Sequence, residues 1–192
     1  MNRRRCATVI TMNDRYVKLA DYAEVSAKVS QIATQIITDH PTSPLFVSLL
    51  RGAAPFSSRL MTEIVRKSPT YHPELDYMMV STYGDGRHAG EPHIVTDLAP
   101  STEVNGRDVI VIDDVLDKGI TASFVFNHLR NRGASHLQLA VICEKDVGRE
   151  LPIVAEYKGF IFGDKWLVGM GMDDPHVAKE GYRWLEEIWE AK

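Results

Sequence analysis

Apolar positions along the chain follow two periods, one typical of helices and one typical of buried strands. The clearest strand is the β-branched run at residues 109–112 (VIVI), which is typical of a strand buried on both faces of a parallel sheet. Clusters of Pro, Gly and polar residues separate the periodic stretches. The spacing predicts helices over residues 23–38, 53–65 and 121–131, and strands over residues 45–50, 75–82, 109–112 and 136–143.

The alternation of helix and strand predicts an α/β fold with a twisted parallel sheet and helices on both faces. In such sheets, ligands bind at the carboxyl ends of the strands. The last part of the chain differs, because short strands over residues 159–162 and 166–170 precede a helical pattern over residues 175–191. Residues 155–192 are therefore predicted to form a small hood that ends in a helix. The sequence leaves open whether this helix packs on the sheet or on a second subunit.

Composition limits the fold and the partners. A chain of 192 residues, 44% of them hydrophobic, suits one domain over residues 1–192. The net charge of -4 and the pI near 6.0 give no general attraction to nucleic acid or to an anionic membrane. Cys6 and Cys143 have no metal-binding spacing, so a reducing, cytoplasmic setting is expected. We expect no signal peptide and no membrane span.

The segment 109–121 (VIVIDDVLDKGIT) carries the strongest candidate chemistry. An acidic pair follows the buried strand, and a turn with a glycine then opens a helix, where free backbone N–H groups favour an anion such as a phosphate monoester. The acidic pair suits sugar hydroxyls or a hydrated Mg²⁺. Any one of these residues could merely cap the helix, but the combination predicts a site for a phosphorylated sugar. The candidate residues are Asp113, Asp114, Asp117, Lys118, Gly119, Ile120 and Thr121.

Three weaker motifs lie at other predicted turns. Arg51 and Gly52 follow the first buried strand and could present a cation to an anion, although an arginine there is more often solvated. Thr82 and Tyr83 begin a glycine-rich loop over residues 84–90, which is either a mobile lid or an ordinary hairpin loop. Lys145 follows the strand at residues 136–143.

Together these motifs resemble the type I phosphoribosyltransferases, over about residues 45–173 and most strongly over 109–121. The latter segment resembles the loop that binds phosphoribosyl pyrophosphate (PRPP) in that family. Lys118 departs from the family, because a Ser or Thr is usual there. The resemblance implies that Asp113 and Asp114 bind the ribose hydroxyls and metal, that Lys118, Gly119, Ile120 and Thr121 bind the 5′-phosphate, and that Arg51, Gly52 and Lys179 bind pyrophosphate. It also implies that Lys145, Trp166 and Leu167 bind the base, that Asp173 helps to hold the metal, and that Thr82 and Tyr83 belong to a flexible loop. Asp117 is implied to be the catalytic base near purine N7.

The 6-oxopurine branch of the family implies transfer of the phosphoribosyl group from PRPP to hypoxanthine, guanine or xanthine, with Mg²⁺ as cofactor and a homodimer or homotetramer as the assembly. Two alternatives stay open. A sensor of PRPP or nucleotides with the same fold would bind without turnover, and a phosphoribosyltransferase for another base would differ in its base pocket. The presence of Asp117, Arg51 and the loop that begins at Thr82 and Tyr83 favours catalysis over sensing.

Overall fold

The computed structural model describes residues 12, 14–83, 89–149 and 151–192, and for residues 82, 83, 89 and 90 it describes the backbone alone. Within these ranges the helices and strands alternate over most of the chain. In chain order they are β1 (Tyr16–Ala20), α1 (Tyr22–Asp39), β2 (Leu45–Leu50), α2 (Ala54–Lys67), β3 (Glu74–Tyr83), β4 (Ala89–Thr96), β5 (Asp108–Leu116), α3 (Ile120–Asn131), β6 (His136–Lys145), β7 (Tyr157–Phe162), β8 (Trp166–Val168) and β9 (Ile188–Ala191).

The main sheet has six strands in the order β4-β3-β2-β5-β6-β7. All neighbouring pairs in it are parallel except β3 and β4, which form an antiparallel pair. The chain leaves β2 towards β3 on one side, whereas it leaves β5 towards β6 on the other. The connections that follow the adjacent strands β2 and β5 therefore run in opposite directions. Open α/β sheets form a ligand crevice at such a point.

Apolar side chains cover both faces of this sheet, as the sequence predicted. Alternate residues of each central strand contribute to opposite cores, so that Ile110 and Ile112 of β5 face one core while Val109 and Val111 face the other. Helices α1 and α2 pack on the first face and α3 packs on the second. The near-continuous apolar runs thus reflect strands that are buried on both sides.

A second, three-stranded sheet in the order β1-β9-β8 forms the hood. Both of its strand pairs are antiparallel. The predicted hood began at residue 155, but β7 belongs to the main sheet, and the hood recruits β1 from near the start of the chain instead. The sequence analysis did not predict β1.

The predicted helix over residues 175–191 is wrong. The chain there forms turns and then β9, and Glu180 and Tyr182 have φ values of 63° and 62°, which no right-handed helix can contain. Aromatic residues at helical spacing produced the prediction, but Gly181 interrupts the segment, local turn hydrogen bonds hold residues 174–185, and only residues 188–191 pair with β1 and β8.

The other element predictions are close to the observed bounds. Strand β5 extends past the predicted residue 112 to Leu116, so that Asp113 and Asp114 lie within the strand rather than after it. Of the predicted loop 84–90, residues 84–88 lie outside the described ranges, while Ala89 and Gly90 begin β4. None of the helices in the described ranges combines the length and apolar character needed to cross a bilayer.

Candidate active site

The turn between β5 and α3 lines a cleft of about 430 Å³ at the carboxyl edge of the sheet. Gly119 precedes the first residue of α3 and has a φ of 81°, a conformation that favours glycine. No side chain caps this helix, so its first N–H groups stay available to a ligand in the cleft. Every residue from Asp113 to Ala122 lines the cleft.

The two carboxylates at the end of β5 repel one another. Desolvation raises the pKa of Asp113 well above its usual value, and the neighbouring Asp114 charge raises it further. Desolvation also raises the pKa of Asp114, although the N–H of Val115 donates to it at 2.7 Å and Arg183 lies near enough to oppose the shift. The pair therefore favours a cation or a hydrogen-bond donor between or beside its carboxylates.

A second, smaller cleft of about 230 Å³ adjoins the first, since Asp114, Val115 and Asp117 line both. Lys145 lies at the end of β6 and its Nζ donates to Asp117 Oδ2 at 2.9 Å. The full lining is Asp114, Val115, Asp117, Lys145, Trp166, Leu167, Met172 and Asp173. This cleft thus has an indole ring on one wall and a donor–acceptor pair at its side.

Arg149 holds the two residues of that pair through their main chains. Its Nε donates to the carbonyl of Asp117 at 3.0 Å and its Nη2 donates to the carbonyl of Lys145 at 2.9 Å. Glu144 accepts from the same guanidinium at 2.7 Å and forms an ion pair with Lys158 at 2.6 Å. Burial alone would raise the pKa of Glu144, but hydrogen bonds from Lys158 and Arg149 outweigh it and lower the pKa. One guanidinium therefore links β6 to the turn after β5.

The hood contacts the turn after β2 through glycines. A Cβ on Gly171 would overlap the carbonyl oxygen of Gly52, and a Cβ on Gly52 would overlap the carboxylate of Asp114. The peptide bond between Leu50 and Arg51 is cis. Absence of side chains at both glycines thus allows β2, β5 and the hood to meet at one point.

Next to this contact, two arginines share one carboxylate. Glu180 pairs with Arg51 at 2.6 Å and accepts from Nε of Arg183. Arg183 is buried, lines the larger cleft, pairs with Asp173 at 2.9 Å, and donates to the carbonyl of Gly171. Both Arg51 and Arg183 therefore already form ion pairs with carboxylates of the protein.

The structure brings together most of the residues singled out from the sequence, but not all of them. Arg51 and Lys179 are exposed and line neither cleft, although Gly52, which follows Arg51, lines the larger one. Thr82 and Tyr83 end β3, and their side chains are not described. Sequence reasoning missed Val115, Arg149, Glu180 and Arg183. The sequence Gly181-Tyr182-Arg183 was a possible signal for a turn that presents an arginine. The helix predicted over residues 175–191 left no place for such a turn.

Known proteins resemble this chain in sequence and in fold. The family model described as "Phosphoribosyl transferase domain" matches residues 17–175. The hypoxanthine-guanine phosphoribosyltransferase of Bacillus subtilis is 34% identical over 152 residues, which cover 78% of this chain and 81% of that protein. A solved hypoxanthine phosphoribosyltransferase from Staphylococcus aureus superposes with a TM-score of 0.80 at 29% identity, covering 92% of this chain and 91% of that one.

A larger relative also matches. The bifunctional protein TilS/HprT of Listeria monocytogenes is 36% identical over 163 residues, which cover 84% of this chain. The match covers only 24% of that protein, so this chain spans about a quarter of the length of that relative.

Proposed function

Because this chain belongs to the phosphoribosyl transferase family, we propose that it transfers the 5-phosphoribosyl group of PRPP to a 6-oxopurine and releases pyrophosphate. Hypoxanthine is the first base to test, since relatives of this chain are named for it. The observation that carries the proposal is the junction of the two clefts at Asp114, Val115 and Asp117. One cleft suits a phosphorylated sugar and the other suits a flat base, so the bond to be exchanged falls between them.

On the sugar side, the turn from Lys118 to Thr121 would bind the 5′-phosphate through backbone N–H groups at the start of α3. Thr121 adds a hydroxyl and Lys118 adds a positive charge. Asp113 and Asp114 would accept hydrogen bonds from the ribose hydroxyls. Arg51, Gly52 and Arg183 lie on the side where the pyrophosphate would leave, and Arg183 takes the part that the sequence analysis gave to Lys179.

On the base side, Lys145 and Asp117 match one edge of a 6-oxopurine. The O6 atom is a hydrogen-bond acceptor and N7 lies on the same edge, so a Lys145 Nζ 2.9 Å from an Asp117 oxygen can donate to O6 while the carboxylate accepts a proton at N7. Adenine presents an amino donor instead of O6, which would face the lysine donor. Trp166, half exposed in the cleft, would stack on the base, and the main chain of Leu167 would bond its far edge.

The acidic residues present suit Mg²⁺. Among the described residues no group of three or more His, Cys, Asp or Glu side chains is placed to hold a metal by itself, but Mg²⁺ usually keeps several waters and binds through one or two carboxylates and substrate phosphates. Burial raises the pKa of both Asp113 and Asp114, and the charge of Asp114 raises the pKa of Asp113 further, so a divalent cation beside them would favour their ionised forms. Asp113 and Asp114 would hold the ion with its substrate, with Asp173 acting through water. When bound, Mg²⁺ would neutralise charge on the departing pyrophosphate.

The protein's residues would then act on three atoms. The bond between C1′ and the pyrophosphate oxygen breaks, N9 of the base forms the new bond to C1′, and the N7 proton passes to the Asp117 carboxylate. A carboxylate positioned for this proton contributes a rate factor of about 10² to 10⁴. The cleft walls of Val115 and Trp166 would keep the base aligned with C1′ while the bond is exchanged.

The test is pyrophosphate release with PRPP, Mg²⁺ and one base at a time. We expect release with hypoxanthine, guanine or xanthine, and kcat/KM for adenine lower by roughly 10²-fold or more, since a site built for one hydrogen-bonding pattern rejects a base that lacks it. Release with adenine or a pyrimidine alone would show a phosphoribosyltransferase for another base. Tight PRPP binding without release from any base would show the sensor instead.

A further inference from the structure

Each of the three nitrogens of the Arg183 guanidinium already contacts an acceptor of the protein. Nε donates to Glu180, Nη1 donates to the carbonyl of Gly171, and Nη2 pairs with Asp173. Arg51 also directs Nη1 to Glu180, at 2.6 Å. An anion that binds the edges of both guanidinium groups that face Glu180 must therefore displace its carboxylate.

Glu180 is the acceptor most suited to be replaced. Its carboxylate touches both arginines, whereas Gly171 offers a fixed main-chain carbonyl. Glu180 lies in a turn with a φ of 63°, and 26% of its side chain is exposed, so it can swing towards solvent without disturbing a strand. Its negative charge lies between two cations, where a phosphate oxygen would otherwise fit.

We propose that Glu180 occupies the pyrophosphate position of the ligand-free site and that a bound diphosphate displaces it, so that Glu180 determines which anions this site accepts. This inference rests on the proposed function. A singly charged anion gains little by replacing a carboxylate that is already paired with the same arginines. A diphosphate carries several charges and can engage Arg51 and Arg183 together, which makes the exchange favourable.

The displacement has a consequence for Asp173. Arg183 pairs with both Glu180 and Asp173, so a diphosphate that draws the guanidinium towards itself loosens the hold on Asp173 as well. Asp173 lines the base cleft, and its release there would coincide with pyrophosphate binding. Glu180 thus links the pyrophosphate side of the cleft to the base side.

The experiment compares Glu180→Gln with the wild type in calorimetric titrations with inorganic pyrophosphate and, separately, with ribose 5-phosphate, at one fixed Mg²⁺ concentration. We expect the Kd for pyrophosphate to fall by on the order of 5-fold, because one ion-paired competitor has become neutral. The Kd for ribose 5-phosphate should change by less than about 2-fold, because its monoester has no contact with Glu180.

Glu187→Gln is the matched control. It removes the same charge from the hood, its side chain is 28% exposed, and its ion pair is with Lys18 rather than with either arginine. Glu180→Asn is a second variant in case Gln does not fold, since Asn tolerates the left-handed backbone at this position. Unchanged or weaker pyrophosphate binding in both Glu180 variants would overturn the proposal, as would an equal gain in Glu187→Gln.

Turnover distinguishes this inference from the proposed function. If the wild type releases no pyrophosphate with any base but the Glu180 variants still bind pyrophosphate more tightly, the proposed reaction fails and the role of Glu180 stands. If the wild type turns over hypoxanthine and the variants bind pyrophosphate no better, the reaction stands and the role of Glu180 fails.

Discussion

The two sides of the cleft are built in different ways. The phosphate side, where we propose that the 5′-phosphate binds, comes from one continuous segment, Asp113 to Ala122, and contains the uncapped start of a helix. The pyrophosphate side, where we propose that pyrophosphate binds, draws on the turn after β2 and on the hood, and its cations are Arg51 and Arg183, both paired with Glu180. The helix N–H groups of the first side have no side-chain cap, whereas the arginines of the second side already form ion pairs within the protein.

This difference indicates an order of events on binding. Under the proposed assignments, the backbone site takes the monoester with little rearrangement, whereas Arg51 and Arg183 exchange Glu180 for the diphosphate. The Lys145–Asp117 pair resembles the pyrophosphate side in that its donor and acceptor already contact each other, at 2.9 Å. Substitutions on the two sides should therefore have separable effects.

The largest effect is expected where the hood contacts the turn after β2. In Gly171→Ala the new Cβ would overlap the carbonyl oxygen of Gly52 at a φ of 115°, and we expect a loss of about 4 kcal/mol in the free energy of unfolding. Gly106→Ala is the control, because its φ is 72° and nothing lies within 4 Å of the new atom; it should cost only about 1 kcal/mol. Denaturant unfolding measures both, and equal losses would show that the Gly52 contact has no special importance.

Asp117→Asn should reduce kcat by roughly 10²-fold while PRPP affinity stays within a few-fold, because the amide cannot take the N7 proton. Asp164→Asn is the control, since Asp164 lies 3.9 Å from the same lysine but its side chain is 87% exposed. Steady-state kinetics and PRPP titration separate the two variants. Unchanged kcat in Asp117→Asn would remove this residue from the mechanism.

Arg149→Met should raise KM for the base and reduce kcat/KM by about 10-fold, with PRPP affinity unchanged, because Asp117 and Lys145 lose the guanidinium that holds their carbonyls. Arg149→Lys should restore part of the loss. Arg132→Met, which removes an arginine paired with Asp97, should leave the kinetics as they are. Equal increases in KM for base and PRPP would point to a general structural role for Arg149.

The smallest effect concerns stability without ligand or Mg²⁺. Asp113→Asn should stabilise the protein by about 1 kcal/mol at neutral pH, as expected when a strained site carboxylate is removed. The folded pKa of Asp113 lies above its unfolded value, so the folded state binds more protons and wild-type stability falls as pH rises from about 4 through the folded pKa. The gain should therefore vanish near pH 4. Thermal melts at several pH values measure it, and a gain that grows at low pH would contradict the sign.

The sequence predicted those parts whose conformation is decided locally. The run at residues 109–112 and the Gly119 turn specify strand, turn and helix within one short segment, so the conformation that brings Asp113, Asp114 and Asp117 to one cleft was predicted. Arg183 was missed because its position depends on a non-helical turn and on its contacts with Gly171 and Asp173, which the helical spacing of the aromatic residues does not indicate. Arg149 carried no motif, because its partners in the site are two main-chain carbonyls.

The claim on which the others depend is that the turn from Lys118 to Thr121 binds the 5′-phosphate of PRPP. A crystal structure with PRPP and Mg²⁺ tests it directly. We expect the monoester within hydrogen-bonding distance of the backbone N–H groups of that turn, with the diphosphate beside Arg51 and Arg183. A monoester bound elsewhere, with this turn facing only solvent, would contradict the assignment.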